Sequence, residues 1–278
     1  MNELLNILSY AFIQRALIVG VLISLCSALL GVNLVLKRYS MIGDGLSHVG
    51  FGALAIAAAA GLAPLPIAIV VVIITAILLL KISSNGKLKG DSAIAVISVS
   101  ALAIGVIIVS VTGTNTDLSN YMFGSILAIS NSDAILTIIL SVFVIAIYIL
   151  FYNRIFAITF DEDFAKATGV KVSVFNTVLA VLTAITVVIG MRMMGALLVS
   201  SLIIFPPLTA ISLCNSFKKV TVASAVVSVV SFILGLYFSY SLSFPTGATI
   251  VVTNLLIILL SFIFKTTKNK IKTKKYLN

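Results

Sequence analysis

The chain has few charged residues, few prolines, two cysteines, one histidine and no tryptophan. Charged residues make up 9% of its 278 residues, against roughly 25% in an average soluble domain. This shortage excludes an ordinary soluble fold. With 61% hydrophobic residues and a mean hydropathy of +1.26, the composition indicates an integral membrane protein. No polar stretch is long enough to form a separate soluble domain.

The scarcity of cysteine and histidine excludes several kinds of site. Cys26 and Cys214 both lie in apolar segments without a C-x-x-C spacing, so neither a disulfide framework nor a zinc knuckle is expected. The sequence contains no H-E-x-x-H motif and no glycine-rich phosphate loop. We therefore expect a protein that is not an enzyme, with an intramembrane enzyme as a disfavoured class. If ATP drives this protein, another chain must bind it.

Long apolar runs predict an all-α, polytopic bundle of eight or nine transmembrane helices. A helix of roughly 18 to 23 residues is long enough to cross a hydrocarbon core of about 30 Å. The predicted spans are 14–36, 45–63, 64–81, 92–112, 133–152, 172–190, 193–211, 220–240 and 246–264. Two neighbouring pairs of spans, those that meet near Pro64 and near Arg192, are separated so briefly that the count stays open between eight and nine.

The basic residues indicate the orientation. With nine alternating spans and the C-terminus inside, 16 of the 18 basic residues fall on the cytosolic side, and only Arg15 and Arg192 lie opposite, as the positive-inside rule requires. We divide the chain into a transmembrane domain, 1–264, and a basic cytosolic tail, 265–278. A basic tail beside a membrane helix is typical of contact with anionic lipid, and nucleic-acid binding is not expected.

The only histidine stands close to an aspartate at the start of an apolar run. Asp44 and His48 are four residues apart, so on a helix both side chains leave from the same face. A carboxylate and an imidazole at the mouth of a membrane helix predict a functional site, and both are ligands for divalent metals such as zinc and manganese. Two ligands are too few for tight selection, but a two-fold dimer would supply four. The alternative is that Asp44 caps the helix and His48 bonds to a carbonyl.

The other acids outside the cytosolic loops have simpler interpretations. Asp91 and Asp133 begin apolar helices, where an acid at the N-cap or in the first turn is favourable. Asp117 is interpreted as a solvated loop residue. Arg192 lies between two close spans and either sits at the membrane interface or pairs with a buried acid.

Two further groups lie in the later spans. Pro206 and Pro207 should kink or break their span and free carbonyls for a neighbouring helix or for a transport pathway, so they are candidate pathway-lining residues. Met191, Met193 and Met194 are interpreted as apolar packing and not as a soft-metal site.

The longest inner loop, 153–171, contains a second distinctive pattern. Asp161, Glu162 and Asp163 precede Lys166, and Gly169 follows. Acids early, a base late and a glycine after it predict a short capped helix. The alternative is a solvated amphipathic loop.

Several motifs occur in order across nearly the whole chain. They are Leu34-Val-Leu-Lys-Arg38, Gly43-Asp-Gly-Leu-Ser-His48, Gly90-Asp-Ser-Ala-Ile94, Asp117-Leu-Ser-Asn-Tyr-Met-Phe-Gly-Ser-Ile-Leu127, Phe160-Asp-Glu-Asp-Phe-Ala-Lys-Ala-Thr-Gly169, Met191-Arg-Met-Met-Gly-Ala-Leu-Leu-Val199 and Pro245-Thr-Gly-Ala-Thr249. Together they resemble the membrane-spanning permease subunits of the bacterial ATP-binding-cassette importers for zinc, manganese and iron(II). One departure is Gly45, where relatives often carry alanine.

The resemblance implies an importer of divalent metal, zinc or manganese with iron(II) as a further option, in the bacterial cytoplasmic membrane. Its expected partners are a second permease copy, identical or not, a pair of cytosolic ATPase subunits that bind the ATP, and an extracytoplasmic metal-binding protein. This chain would bind no cofactor of its own. Asp44 and His48 would be the pathway ligands of the transported ion.

The resemblance also makes 160–169 the cytosolic coupling helix that docks in a groove of the ATPase. The residues carried over to that role are Phe160, Asp161, Phe164, Ala165 and Gly169. The rival function is a proton-coupled secondary carrier for a cation, with Asp44 or His48 as the proton site. Such a carrier would need no ATPase.

Overall fold

The computed structural model describes residues 10–84, 90–113, 124 and 129–277, with side chains described up to residue 82 of the first stretch, for 92–113 and 124, and up to residue 267 of the last. Asp117 and most of its motif lie outside these residues, as does the side chain of Asp91. In these ranges the chain is helical, with no strand, as the composition predicts.

Eleven helices follow one another along the described chain. They are α1 (Ala11–Leu36), α2 (Ile42–Ala59), α3 (Pro64–Ser84), α4 (Gly90–Thr112), α5 (Asn131–Leu150), α6 (Tyr152–Phe160), α7 (Glu162–Ala167), α8 (Val172–Met194), α9 (Ala196–Leu213), α10 (Phe217–Leu242) and α11 (Thr246–Leu277). All but α6 and α7 contain a stretch that is long and apolar enough to cross a membrane. Within the described residues the count is therefore nine, the higher of the two predicted numbers.

The structure differs from the prediction at two segments. The loop predicted at 153–171 contains a helix, α6, in addition to the expected α7. Because α6 has nine residues and buries only Ile155 and Ile158, it is too short to stand out as an apolar run. At the other end of the chain, α11 continues as helix through Leu277, beyond the predicted end of the last span at 264.

Glycines bring α2 and α4 into close contact. A Cβ atom at Gly45 would collide with the side chain of Ile94, and one at Gly52 would lie 2.7 Å from the carbonyl oxygen of Ala101. Small residues at a helix interface allow this close approach, which is the main source of packing between membrane helices. The absence of side chains at Gly45 and Gly52 therefore lets α2 lie closely along α4.

The two prolines do not break α9, which is continuous from Ala196 to Leu213. Because Pro207 has no N–H, the carbonyl of Ile203 lacks its partner within the helix. That carbonyl faces α1 at Gly31, where a Cβ atom would collide with it. The freed oxygen therefore meets a neighbouring helix. Pro206 and Pro207 are both buried, and a pathway-lining role stays a prediction.

A single residue, Gly195, joins α8 to α9. Its φ and ψ of 90° and 152° lie in a region that is essentially restricted to glycine. Both helices contribute to the two large apolar clusters of the bundle, one with α1 and α5 and the other with α2, α3 and α4. The α8–α9 hairpin thus connects the two parts of the core.

Candidate functional site

Asp44 and His48 lie in the first two turns of α2, as predicted, and their side chains meet. His48 Nε2 is 3.5 Å from Asp44 Oδ2, which is longer than an ordinary hydrogen bond. The residue at the N-cap of α2 is Met41, and no side chain caps this helix. The alternative in which Asp44 caps α2 is therefore wrong. The side chain of Asp44 is directed toward His48 and toward α9.

The second oxygen of Asp44 is held only weakly. Ser200 Oγ lies 3.3 Å from Asp44 Oδ1 and 3.0 Å from the carbonyl oxygen of Ala196. A hydroxyl has one proton to donate, so the two acceptors compete for it and the nearer one is the backbone of α9. Neither carboxylate oxygen of Asp44 has a short hydrogen bond to another described residue. The carboxylate is thus available to a ligand.

The pair faces out of the chain. The Asp44 side chain is 39% exposed and that of His48 22%, while most of α2 around them is buried. His48 Nδ1 is buried and has no hydrogen-bond partner among the described residues, so the carbonyl proposed as its alternative partner is not there. The pair is partly exposed, and one buried nitrogen of His48 is unpaired. The described residues of this chain therefore do not satisfy all the polar atoms of the pair.

The separation of the two ligand atoms fits a shared ion. Two ligands on one tetrahedral ion, each about 2.1 Å from it, are separated by about 3.4 Å. The observed distance between Oδ2 of Asp44 and Nε2 of His48 is 3.5 Å. No cluster of three or more His, Cys, Asp or Glu side chains suited to a metal occurs in the part of the chain that the structure describes. An ion held by this pair would need further ligands from outside these residues.

Asp133 and Arg192 form the second acid–base pair of the bundle. Asp133 Oδ1 is 3.1 Å from Arg192 Nη2, and Asp133 Oδ2 accepts a hydrogen bond of 2.8 Å from Ser130 Oγ. The Ser130 hydroxyl in turn accepts from the Asp133 backbone N–H, which caps α5. The first-turn interpretation of Asp133 is confirmed, and Arg192 pairs with this acid.

The inner loop contains the predicted capped helix, α7, although it is shorter than 160–169. Asp161 is its N-cap and accepts hydrogen bonds from the N–H groups of Asp163 and Phe164, and Gly169 follows it with φ of 82°. Phe160 ends the preceding helix instead of beginning this one.

The two phenylalanines of this segment point outward. Phe160 and Phe164 are 62% and 64% exposed, while Ala165 is fully buried. Large exposed aromatic side chains beside a charged helix are typical of a protein-docking surface. Phe160 and Phe164 are therefore candidates for contact with a partner protein.

Sequence reasoning missed a polar connection between α1, α7 and α8. Lys37 Nζ donates to Glu162 Oε1 at 2.8 Å and to Asn176 Oδ1 at 2.7 Å, and Asn176 Nδ2 donates to Glu162 Oε1 at 3.2 Å. Lys37 and Glu162 each stand in one of the recognised motifs, but nothing in the sequence paired them. Asn176 carries no signal at all, because its role depends on where α8 begins.

The connection changes how Glu162 titrates. Partial burial acts to raise the pKa of Glu162, but the hydrogen bonds from Lys37 and Asn176 and the charges of Lys37 and Lys166 outweigh it, so the pKa lies below the ordinary 4.5. A carboxyl with a lowered pKa contributes stability that is complete above its unfolded value and is lost as the pH falls through the folded value. The contact is therefore intact at neutral pH and weakens only in acid.

Nine apolar helices with an acid–imidazole pair on an open face are the architecture of a polytopic membrane transport protein. The model of the ABC 3 transport family matches residues 9–265, and the chain belongs to that family. This confirms the resemblance that the sequence motifs indicated.

Individual relatives are similar over most of their length. The manganese transport system membrane protein MntC of Listeria monocytogenes is 31% identical over 97% of this chain and 96% of that protein. The high-affinity zinc uptake system membrane protein ZnuB of Buchnera aphidicola is 34% identical over 54% of this chain and 57% of its own. In the structure of PsaBC from Streptococcus pneumoniae in complex with Fab, one chain superposes with a TM-score of 0.83 at 31% identity, covering 94% of this chain and 95% of that one.

Proposed function

We propose that this chain is the membrane-spanning subunit of an importer that takes up divalent transition-metal ions, manganese or zinc, across the bacterial cytoplasmic membrane. The observation that carries the proposal is the geometry of Asp44 and His48, whose ligand atoms are 3.5 Å apart on an open face. The relatives support it, since the names of two of them refer to manganese transport and zinc uptake. Carboxylate and imidazole suit both of these ions.

A second permease copy would complete the site. Two copies related by a two-fold axis would place two aspartates and two histidines around one ion, a four-ligand set of nitrogen and oxygen atoms. The partial exposure of both side chains is consistent with a face that a partner covers. A set without thiolate holds zinc or manganese loosely, which a transport pathway needs, because an ion bound too tightly does not leave.

Energy would come from a separate pair of ATPase subunits. The chain has no phosphate-binding loop, so ATP must be bound elsewhere. The α7 segment, with Phe160 and Phe164 exposed, is the docking surface we propose for the ATPase, and an extracytoplasmic protein would deliver the metal. This orientation puts α7 in the cytosol. The C-terminus lies four spans later and is therefore on the same side.

In this mechanism the chain alternates between two states. Metal released outside would bind between the Asp44 and His48 side chains of the two copies. ATP turnover in the partner would move α7, and the bundle would then open the pair toward the cytosol. The residues of this chain do no chemistry on the ion beyond ligation and exchange of ligands with water.

Metal uptake measured in cells tests this proposal. Cells that lack their own transporters would express the chain with its ATPase and binding protein, and elemental analysis would report manganese, zinc and iron. We expect Asp44→Asn and His48→Ala each to abolish uptake while both variants remain inserted and bound to the ATPase. Thr75→Val, which removes an exposed hydroxyl bonded to the carbonyl of Val71, is the control and should transport normally.

Two results would contradict the proposal. If either ligand variant imported metal at the wild-type rate, Asp44 and His48 would have a structural role only. If uptake continued without the ATPase and stopped when a protonophore collapsed the proton gradient, the chain would be a proton-coupled secondary carrier. Uptake that requires the ATPase and survives the protonophore supports the importer.

A further inference from the structure

Two polar contacts join the last turn of α1 to the segment that carries α7. Asn33 and Lys37 stand four residues apart, on one face of α1. Thr159 Oγ1 lies 2.9 Å from Asn33 Oδ1 and shares its one proton between that oxygen and the Ile155 carbonyl at 2.7 Å. Lys37 Nζ donates to Glu162 Oε1 at 2.8 Å. Thr159 lies in the last turn of α6, and Glu162 begins α7. We name the four residues Asn33, Lys37, Thr159 and Glu162 the α1 clamp.

Two members of the α1 clamp, Asn33 and Lys37, are largely shielded from solvent. Asn33 is 1% exposed, and its Nδ2 also donates to the Tyr148 hydroxyl at 3.0 Å, which ties the residue to α5. The Lys37 side chain is only 12% exposed, although lysine usually reaches into water. A buried lysine is stable only when it is paired, so its contact with Glu162 has to be maintained or replaced when α7 moves.

Polar side-chain contacts act here in addition to apolar packing, since Ile155, Ile158 and Ala165 are buried in one cluster with Leu30 of α1. A cavity of about 400 Å³ opens at this end of the bundle, and Lys37, Glu162 and Asn176 are among the residues that line it. Empty space beside the lysine leaves α7 room to shift. The polar contacts then determine how much of that shift α1 follows.

The chain leads directly from Lys37 of the α1 clamp to Asp44, one residue of the proposed metal-binding pair. After Lys37 the chain turns within four residues into α2, and the turn is closed by hydrogen bonds from Tyr39 N–H to the Leu34 carbonyl and from Ile42 N–H to the Tyr39 carbonyl. Asp44 is the third residue of α2. A displacement of the end of α1 is therefore passed to Asp44 through a short and rigid segment.

We infer that Asn33 and Lys37 are positioning residues that transmit the movement of α7 through α1 to Asp44, so that ATP turnover is coupled to release of the metal. This inference rests on the proposed function. It assigns the coupling to side-chain contacts between α1 and the α6–α7 segment, in addition to the docking of α7 on the ATPase. Breaking the clamp should leave ATP hydrolysis running while metal transport fails to follow it.

The test uses the chain with its ATPase in proteoliposomes, with the metal-binding protein supplied on the outer side, and measures manganese transported per ATP hydrolysed. We expect Lys37→Glu and Glu162→Lys each to lower this ratio about tenfold, which corresponds to loss of ~1.4 kcal/mol of coupling free energy. The double variant, K37E with E162K, restores opposite charges and should recover most of the ratio. Thr159→Val, which removes one hydrogen bond, should cause a smaller loss.

The controls separate this inference from its premise. Lys219→Met removes an exposed lysine at the start of α10 and should keep the wild-type ratio. If the wild-type complex moves no manganese with ATP, the proposed function fails. If it does and the single variants keep the wild-type ratio, or the double variant does not recover, the clamp is wrong. Loss of the ATPase from the Glu162 variant would assign Glu162 to docking and would also overturn the clamp.

Discussion

Two of the carboxylate–base pairs in the described part of the bundle, Asp133–Arg192 and Asp44–His48, are built differently. In the Asp133–Arg192 pair both carboxylate oxygens have short contacts, at 3.1 Å to Arg192 and 2.8 Å to Ser130. In the Asp44–His48 pair the corresponding distances are 3.5 Å to His48 and 3.3 Å to Ser200. The first pair is complete within one chain, and the second is not.

This difference distinguishes a pair with a structural role from a pair for which we propose a function. A polar group in a membrane helix is costly unless its hydrogen bonds are satisfied. Asp133 meets that condition by accepting a hydrogen bond from Ser130, the N-cap of α5, and by pairing with Arg192, so it needs no ligand. Asp44 and His48 meet it only partly, and His48 Nδ1 has no partner among the described residues. Incomplete satisfaction at a fixed pair is what we expect of a site that awaits an ion and a second copy.

The largest expected difference between the two pairs concerns the stabilisation of the folded chain by bound metal. At about 100 times its dissociation constant, manganese or zinc should stabilise the folded wild-type chain by about 2.7 kcal/mol. Thermal unfolding of the purified chain with and without the ion measures this. The Asp44→Asn/His48→Ala double variant should show no protection, and an equal shift in that variant would mean that the ion binds elsewhere.

The complete pair should respond in the opposite way. Asp133→Ala removes the carboxylate that closes the cap of α5 and binds Arg192, and it should lower the free energy of unfolding by about 1–2 kcal/mol. Because Asp133 does not bind the ion, the stabilisation by manganese should be unchanged. Loss of metal protection in this variant, measured in the same unfolding assay, would remove the distinction between the two pairs.

The smallest expected effect concerns Ser200. Ser200→Ala removes the long hydrogen bond to Asp44 Oδ1 together with the bond to the Ala196 carbonyl. Only the first involves the pair, and a contact worth about 0.5–1 kcal/mol should change metal affinity by about two- to fivefold. A direct binding titration with manganese measures this. A loss as large as that of Asp44→Asn would show that Ser200 is itself a ligand, and the pair would then be a triad.

The long helices and the meeting of Asp44 with His48 could be predicted because both leave a local signature. Apolar runs of span length identify the membrane helices, and the four-residue spacing places Asp44 and His48 on one face of α2. The first-turn acid of α5, Asp133, and the capped helix α7, which Asp161 begins, could be predicted for the same reason, because each acts within a few residues of itself. Whether Asp44 and His48 bind metal remains a prediction that their geometry supports.

What could not be predicted depends on contacts between distant segments. Lys37 and Glu162 are 125 residues apart in sequence, and Arg192 and Asp133 meet only because α8 ends beside the start of α5. α6 was missed because nine residues with two buried isoleucines do not differ enough from a loop. The continuity of α9 through Pro206 and Pro207 was missed for another reason, since Gly31 of α1 approaches the freed carbonyl.

The one-residue connection between α8 and α9 also bears on how the protein is made. A single glycine is too short to form a polar loop at the membrane surface. Such a loop would be needed for α8 to insert into the membrane before α9. We therefore expect the two helices to leave the ribosome and enter the lipid together, as one hairpin. The segment that unites the two halves of the core would then be inserted as a unit, after α1–α5 and before α10 and α11 can pack against it.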